Sequence, residues 1–185
     1  MELCFHYSDI EGQNKLFNIL SSIVINEQEI IIVCIGTDRV SGDSLGPMVG
    51  TLLMEECRSA KVYGTLHAPV HAQNIEETIA MIGKEHPDAF VIAVDACLGK
   101  VANVEKIMFI NQPLKPGTGV HKDLPEIGNV NIQGIVNIGG FMPQLVIQNT
   151  RMNTIYNMSR IIAGTLAQIV IAHKNFYPVF QLKQA

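Results

Sequence analysis

Two aspartates combine residue type and setting in a way that could do chemistry. Asp43 lies in CIGTDRVSGDSLGPMVG (34–50), a small-residue, acidic loop that follows a run of strand-forming residues. Asp95 closes the apolar run AFVIAVDA (89–96) but for one alanine. An aspartate ending an apolar strand is partly desolvated and needs a partner, and a second carboxylate facing it would make a site for proton transfer. Asp38 shares the first loop and is a third candidate. Simpler roles compete at the first loop: Asp43 with Ser44 could cap the helix that follows, and Asp38 could hold a turn. Capping gives no reason for Asp95.

Other motifs carry less. The pattern G-x-G-x-x-G is absent after Ile35 and no G-K-[ST] occurs, so a dinucleotide or P-loop phosphate site is unsupported. His67 and His71 have Pro69 between them, which rules out a helical metal pair and leaves them lining a cleft or lying in a loop. Cys97 follows Asp95 by two residues with no histidine near it in sequence, the pattern of a packed strand-end thiol rather than a nucleophile. Met152, Met158 and Ile161 fall at helical spacing and read as core.

The elements that must position the aspartates alternate in type. Helices are predicted over 14–24, 47–56, 74–85 and 153–173 from their apolar spacing, with Pro47 in a first turn where its missing N–H does no harm. Strands are predicted at IIIVCIG (30–36), VYGTLH (62–67), AFVIAVDA (89–96), VEKIMFIN (104–111) and IQGIVNIGG (132–140). The first is a continuous β-branched run, as in a parallel strand covered on both faces, whereas 104–111 alternates and reads as an edge or partly exposed strand. Gly46 and Gly50 give the second helix a smooth edge that can lie close to the sheet. The pattern predicts a three-layer α/β/α fold with a mainly parallel sheet, in which ligands bind beyond the carboxyl ends of the strands. The loop-rich stretch 111–131 is long for a compact domain and reads as functional or mobile.

At 185 residues, 48% hydrophobic and 16% charged, the chain fits one well-filled domain spanning 1–185. A net charge of -4 without a Lys/Arg cluster argues against nucleic acid as a partner. The four cysteines, scattered with no C-x-x-C pair, read as reduced and buried. The start lacks a secretory pattern, and the longest apolar run, 161–172, is too short to span a bilayer, so a cytoplasmic protein without a membrane partner is expected.

GTDRVSGDSLGPMVG, VIAVDACLG, KPGTGVHKDLPEIG and GIVNIGGFMPQLVIQNTRMN together resemble the YyaC family of sporulation proteins from spore-forming bacteria, from about Ile30 to the C-terminal helix. More distantly, the first two stretches resemble the germination protease, an atypical aspartic peptidase, and a superfamily that includes hydrogenase-maturation peptidases. The D-x-LGP aspartate and the aspartate ending a later apolar strand fall on Asp43 and Asp95. The resemblance implies a phosphorylase-like α/β fold of the hydrogenase-maturation-peptidase type. It also implies a sporulation-associated peptidase in which one carboxylate takes a proton from water attacking a peptide carbonyl and the other donates one. Asp43 and Asp95 would be catalytic, with Asp38, Ser44 and His121 on the substrate side and a protein or peptide, such as a spore protein, as partner.

In the hydrogenase-maturation branch two carboxylates and a histidine hold a metal, so His121 is a conceivable third ligand beside Asp43 and Asp95. Its place next to Lys122 favours a surface histidine, and no cofactor is expected. Ser44 stands where the germination protease has alanine. The chain is much shorter than that protease, and beyond Gly128 it follows the YyaC pattern better. A non-enzymatic protein that binds a peptide in the same cleft stays open as an alternative, as does the metal-dependent peptidase.

Overall fold

The computed structural model describes residues 2–116 and 124–184, with side chains as far as residue 176. In chain order the elements are β1 (Glu2–His6), α1 (Ile10–Val24), β2 (Ile30–Cys34), α2 (Leu45–Glu56), β3 (Lys61–Tyr63), α3 (Ile75–Glu85), β4 (Phe90–Gly99), β5 (Lys106–Ile110), β6 (Val130–Ile138), α4 (Pro143–Gln148) and α5 (Met152–Gln184). The strands form one six-stranded sheet in the order β1-β5-β6-β4-β2-β3. β3, β2, β4 and β6 are parallel, and β5 runs against both of its neighbours. The sheet is therefore mixed but mainly parallel, with helices on both sides.

Side chains alternate across a strand, so the apolar run of β2 must supply two cores at once. Ile30, Ile32 and Cys34 face the larger one, packed against α1, α2 and α5. Ile31 and Val33 face the smaller one, under Ile75 and Ile82 of α3 and the loop residues Val70, Leu114 and Ile127. Burying each such aliphatic side chain contributes about 1.5–3 kcal/mol. The smaller core takes nothing from β5 or β6. On that half of the sheet the alternation of β6 turns Val130 and Ile132 into the large core and leaves Asn131 and Gln133 on the other face.

Several boundaries differ from the sequence expectation for identifiable reasons. α1 starts four residues before Asn14, because the Asp9 carboxylate accepts from the Glu11 and Gly12 amides and caps it there. β1 is an added strand that pairs with β5, so β5 is an inner strand; of the two readings its alternation allowed, edge or partly exposed, the second holds. β4 runs past Ala96 to Gly99, because β6 continues to pair with it after β2 has ended. Cys4 is exposed, in contrast to the buried thiol expected, while Cys34 and Cys57 are buried and all four cysteines are free. α5 is a 33-residue helix, and its segment Met152–Phe176 is long and apolar enough to cross a membrane by length and composition, unlike the shorter run judged from sequence. More than half of its most apolar stretch is buried inside the fold. Ile155, Met158, Ile162 and Leu166 all join the large core.

Candidate active site

The site is built where β2 ends. Three successive backbone amides there fasten three different chain segments: Ile35 donates to the Val94 carbonyl at 2.7 Å, Gly36 to the Val70 carbonyl at 2.8 Å, and Thr37 to the Asp43 carbonyl at 3.2 Å. Asp95, His71 and Asp43 are thus each at, or one residue beyond, a carbonyl that accepts from a single tripeptide. The middle residue must be glycine, since Gly36 has φ +138° and a Cβ there would run into the Asp43 carbonyl oxygen. α2 follows at once and lies close: a Cβ on Gly46 would collide with the Ile35 carbonyl, and one on Gly50 with that of Gly64, the smooth edge predicted from their spacing.

Asp43 sits in a 3-10 turn, Gly42–Ser44, and does not cap α2. The N-cap position is held by Ser44, whose hydroxyl turns back to donate to the Ser41 carbonyl at 2.6 Å, so neither side chain accepts from a helix amide as a cap would. Behind the turn stands the stretch IQNTR (147–151). The Ser41 hydroxyl donates to the Gln148 carbonyl at 2.6 Å, and Gly42 packs against Ile147 and Thr150. Asn137 Nδ2 in turn donates to Thr150 Oγ1 at 3.2 Å.

Asp95 is an interior residue of β4, paired with Gln133 of β6, and lies just beyond Val94, the last residue of β4 to pair with β2. Asp43 and Asp95 both line one cavity of about 680 Å³, on the half of the sheet that α3 leaves bare. His71, Cys97, Asn131, Gln133 and Lys115 share its wall. Burial pushes the Asp95 carboxyl well above the usual carboxylate range, and the charge of Asp43 adds to that push against the Ala96 amide, which donates to Oδ1 at 2.8 Å. Burial also raises Asp43, opposed by the Thr37 amide and by the charge of His71. The two carboxylates therefore sense each other, and the second ionisation is the difficult one, as proton sharing requires. Cys97 is no rival nucleophile, because burial, with the Asp95 and Cys4 charges behind it, lifts its thiol to about 12.

Other residues singled out by the sequence fall differently. Asp38 is exposed in a turn and is not part of the cavity wall. Ser44 is buried, with its hydroxyl engaged. His121 lies outside the described residues. His67 is exposed, whereas His71 reaches the cavity. Asn131 and Gln133 were not picked out in the sequence, whereas His71 was read there as lining a cleft or lying in a loop, and it lines the cavity. For the two amides the available signal was the polar alternation inside an otherwise apolar β6. Asn131 is almost fully buried, donates from Nδ2 to the Gln112 carbonyl at 2.9 Å, and leaves its Oδ1 without a partner.

Comparison with known proteins agrees with this architecture. The fold is similar to that of the [NiFe] hydrogenase maturation protease HycI from Thermococcus kodakarensis KOD1, with a TM-score of 0.56 over 82% of this chain and 97% of that one. At 16% identity this likeness concerns the fold alone. The chain is 48% identical over 164 residues to the uncharacterized protein YyaC of Bacillus subtilis (strain 168), covering 87% of this chain and 80% of that protein. The family described as "Protein of unknown function (DUF1256)" matches residues 4–165. With that match and the close kinship to YyaC, the chain belongs to the DUF1256 family.

Proposed function

We propose that the protein is a peptidase that hydrolyses a peptide bond with the Asp43–Asp95 pair, its substrate a protein of the sporulating cell. The observation that carries this reading is the placement of both carboxylates on one cavity wall, with Asp95 driven furthest toward its protonated form by burial and by Asp43. In the reaction a water oxygen bonds to the peptide carbonyl carbon and gives a proton to the ionised carboxylate. The protonated carboxylate donates to the carbonyl oxygen. As the carbon–nitrogen bond breaks, the proton taken from water passes to the leaving amine. A hydroxyl of the diol gives its proton back to the other carboxylate as the new carbonyl forms, so the pair again holds one shared proton. A cavity of about 680 Å³ has room for a few residues of an extended peptide. The fold shared with a maturation protease supports the reading at the level of architecture. The cytoplasm of the forespore or mother cell is the proposed location.

Among the described residues no group of three His, Cys, Asp or Glu side chains is placed to hold a metal ion. The third ligand of the metal-dependent version, His121, is outside them, so the steps above use only the protein's own carboxylates. Elemental analysis of protein purified without chelator or nickel resin tests that choice, and stoichiometric metal would replace it with the metal-dependent version.

The deciding experiment incubates the purified protein with a proteome-derived peptide library and reads new termini by mass spectrometry. Wild type is expected to generate them. Asp43→Asn and Asp95→Asn should each lower the rate by a factor of about 10² or more while remaining folded. Termini formed equally by the variants would end the carboxylate mechanism. Full biological function in the double variant would favour a peptide-binding scaffold.

A further inference from the structure

The stretch IQNTR (147–151) takes part in none of the chemical steps above, yet its Thr150 is buried and its hydroxyl is doubly engaged. Thr150 Oγ1 accepts from Asn137 Nδ2 and donates to the Val146 carbonyl, both at 3.2 Å. Asn137 Nδ2 also donates to that carbonyl at 3.2 Å, and Asn137 Oδ1 accepts from the Ile138 amide at 2.8 Å. A carbonyl oxygen only accepts, so Val146 fixes both which way the Asn137 amide faces and where the Thr150 hydroxyl sends its proton.

Thr150 also meets the turn that carries Asp43. The Thr37 amide holds the Asp43 carbonyl, and the residues leading into Asp43 need a second hold. A Cβ on Gly42 would come within 2.8 Å of Thr150 Oγ1 and 2.6 Å of the Ile147 carbonyl oxygen, so Gly42 is seated directly on these two atoms. One residue earlier, the Ser41 hydroxyl donates to the Gln148 carbonyl at 2.6 Å. The turn is thereby joined to β6 through Thr150 and Asn137. Asp95 refers to the same strand, being paired with Gln133, while Asn137 stands opposite Leu98 of β4.

We propose that Thr150 is a positioning residue: braced by Asn137, it fixes the tilt of the Asp43 turn and so the direction in which the Asp43 carboxylate is presented to Asp95. Its part in catalysis rests on the peptidase reading, whereas the link between β6 and the turn does not. The hydroxyl is needed because it accepts and donates at once. Valine has nearly the same shape but leaves Asn137 Nδ2 and the Val146 carbonyl each one partner short, and Gly42 then rests on a side chain that nothing fixes. A displacement of about 1 Å at a reacting group costs on the order of 10²-fold in rate, so a small release of the turn suffices.

Two measurements on the full chain test the proposal. The first follows the Asp95 carboxyl carbon by NMR against pH, with and without Asp43→Asn, in wild type and in Thr150→Val. Asp43→Asn should lower the Asp95 midpoint in wild type, and lower it less in the Thr150→Val background. His71, Cys97 and Lys115, the other titratable groups on the cavity wall among the described residues, are common to both backgrounds. An equal displacement in the two would overturn the proposal. If Thr150→Val fails to fold, Ser41→Ala takes its place, since it removes the tie to Gln148 and should weaken the coupling likewise.

The second measurement is cleavage of a peptide found in the library assay. Thr150→Ser keeps the hydroxyl and should retain most of kcat, whereas Thr150→Val should lose on the order of 10-fold to 100-fold with little change in KM. Thr165→Val is the control: it also removes a buried threonine hydroxyl, one that donates to the Ile161 carbonyl at 2.9 Å within α5, and it should keep kcat. A Thr150→Val protein no slower than Thr165→Val would overturn the proposal. Should wild type cleave nothing, the peptidase reading fails, and the titration still decides the link.

Discussion

Asp95 is held in the fold at a cost that pH exposes. Its folded pKa stands well above the ordinary carboxylate value, because burial and then Asp43 disfavour its charge. The protonated form is favoured in the native state, so the associated stability is fully present below the ordinary carboxylate pKa. It is lost as pH rises through the raised folded value. Asp95→Asn should therefore leave stability near that of wild type in acid. It should raise it at neutral pH by roughly 1–3 kcal/mol, the scale of a buried, poorly compensated polar group. Denaturant titrations at both pH values check this, and an equal effect at both would contradict the burial argument. Asp43→Asn should act in the same sense, since Asp43 is also raised. Cleavage should show a bell-shaped pH profile belonging to the pair, its acid limb above the ordinary carboxylate range and its alkaline limb higher still. Asp95 was legible in the sequence because a carboxylate ending an apolar strand contradicts its surroundings, whereas Asp43, equally readable as a helix cap, was singled out by its resemblance to the D-x-LGP aspartate. His71 was legible only as lining a cleft or lying in a loop, since a histidine in a proline-containing loop has no periodicity to betray which way it faces. Asp38 and Ser44 were drawn in by sharing the loop of Asp43, yet a tight turn points neighbouring side chains in different directions.

At the scale of elements, the loop after β2 depends on backbone contact rather than on side chains. Gly36→Ala meets both a positive φ and the Asp43 carbonyl, and Gly46→Ala meets the Ile35 carbonyl. Each should destabilise by about 2 kcal/mol or more and abolish cleavage, as measured by chemical denaturation and the library assay. Gly83 provides the contrast, being exposed in α3 with open space around its missing Cβ. Gly83→Ala should stabilise by about 0.5–1 kcal/mol through helix propensity alone, without touching activity. The central strands and the long helices were readable because each buries a continuous face. The five residues of β1 and the six of α4 are too short to show a period, and β1 begins and ends on the polar Glu2 and His6. Strand order is a different loss: the alternation of β5 fits an edge or a partly exposed strand alike, and only the distant pairing with β1 makes it internal.

Across the whole molecule the two cores differ in how they are protected, and the thiols report on it. Cys4 is exposed, Cys34 and Cys57 are buried in the large core, and Cys97 opens on the cavity with a thiol near 12. A thiol reagent at neutral pH should modify Cys4 quickly and Cys97 slowly, and reach Cys34 and Cys57 only on global unfolding. Rapid modification of all four would mean that the helical layer is not closed. The apolar length of α5 is likewise spent inward, on the sheet and on α2 through Ser159, whose hydroxyl donates to the Leu45 carbonyl at 3.3 Å. The clasp at residues 35–37 has a consequence for descent as well as for chemistry. The spacing among Asp95, Asp43 and His71 is set by three adjacent peptide links, not by the connections that run between them. Insertions or deletions in those connections would leave the constellation in alignment, so relatives are free to diverge in size and outline while the same three groups stay mutually calibrated.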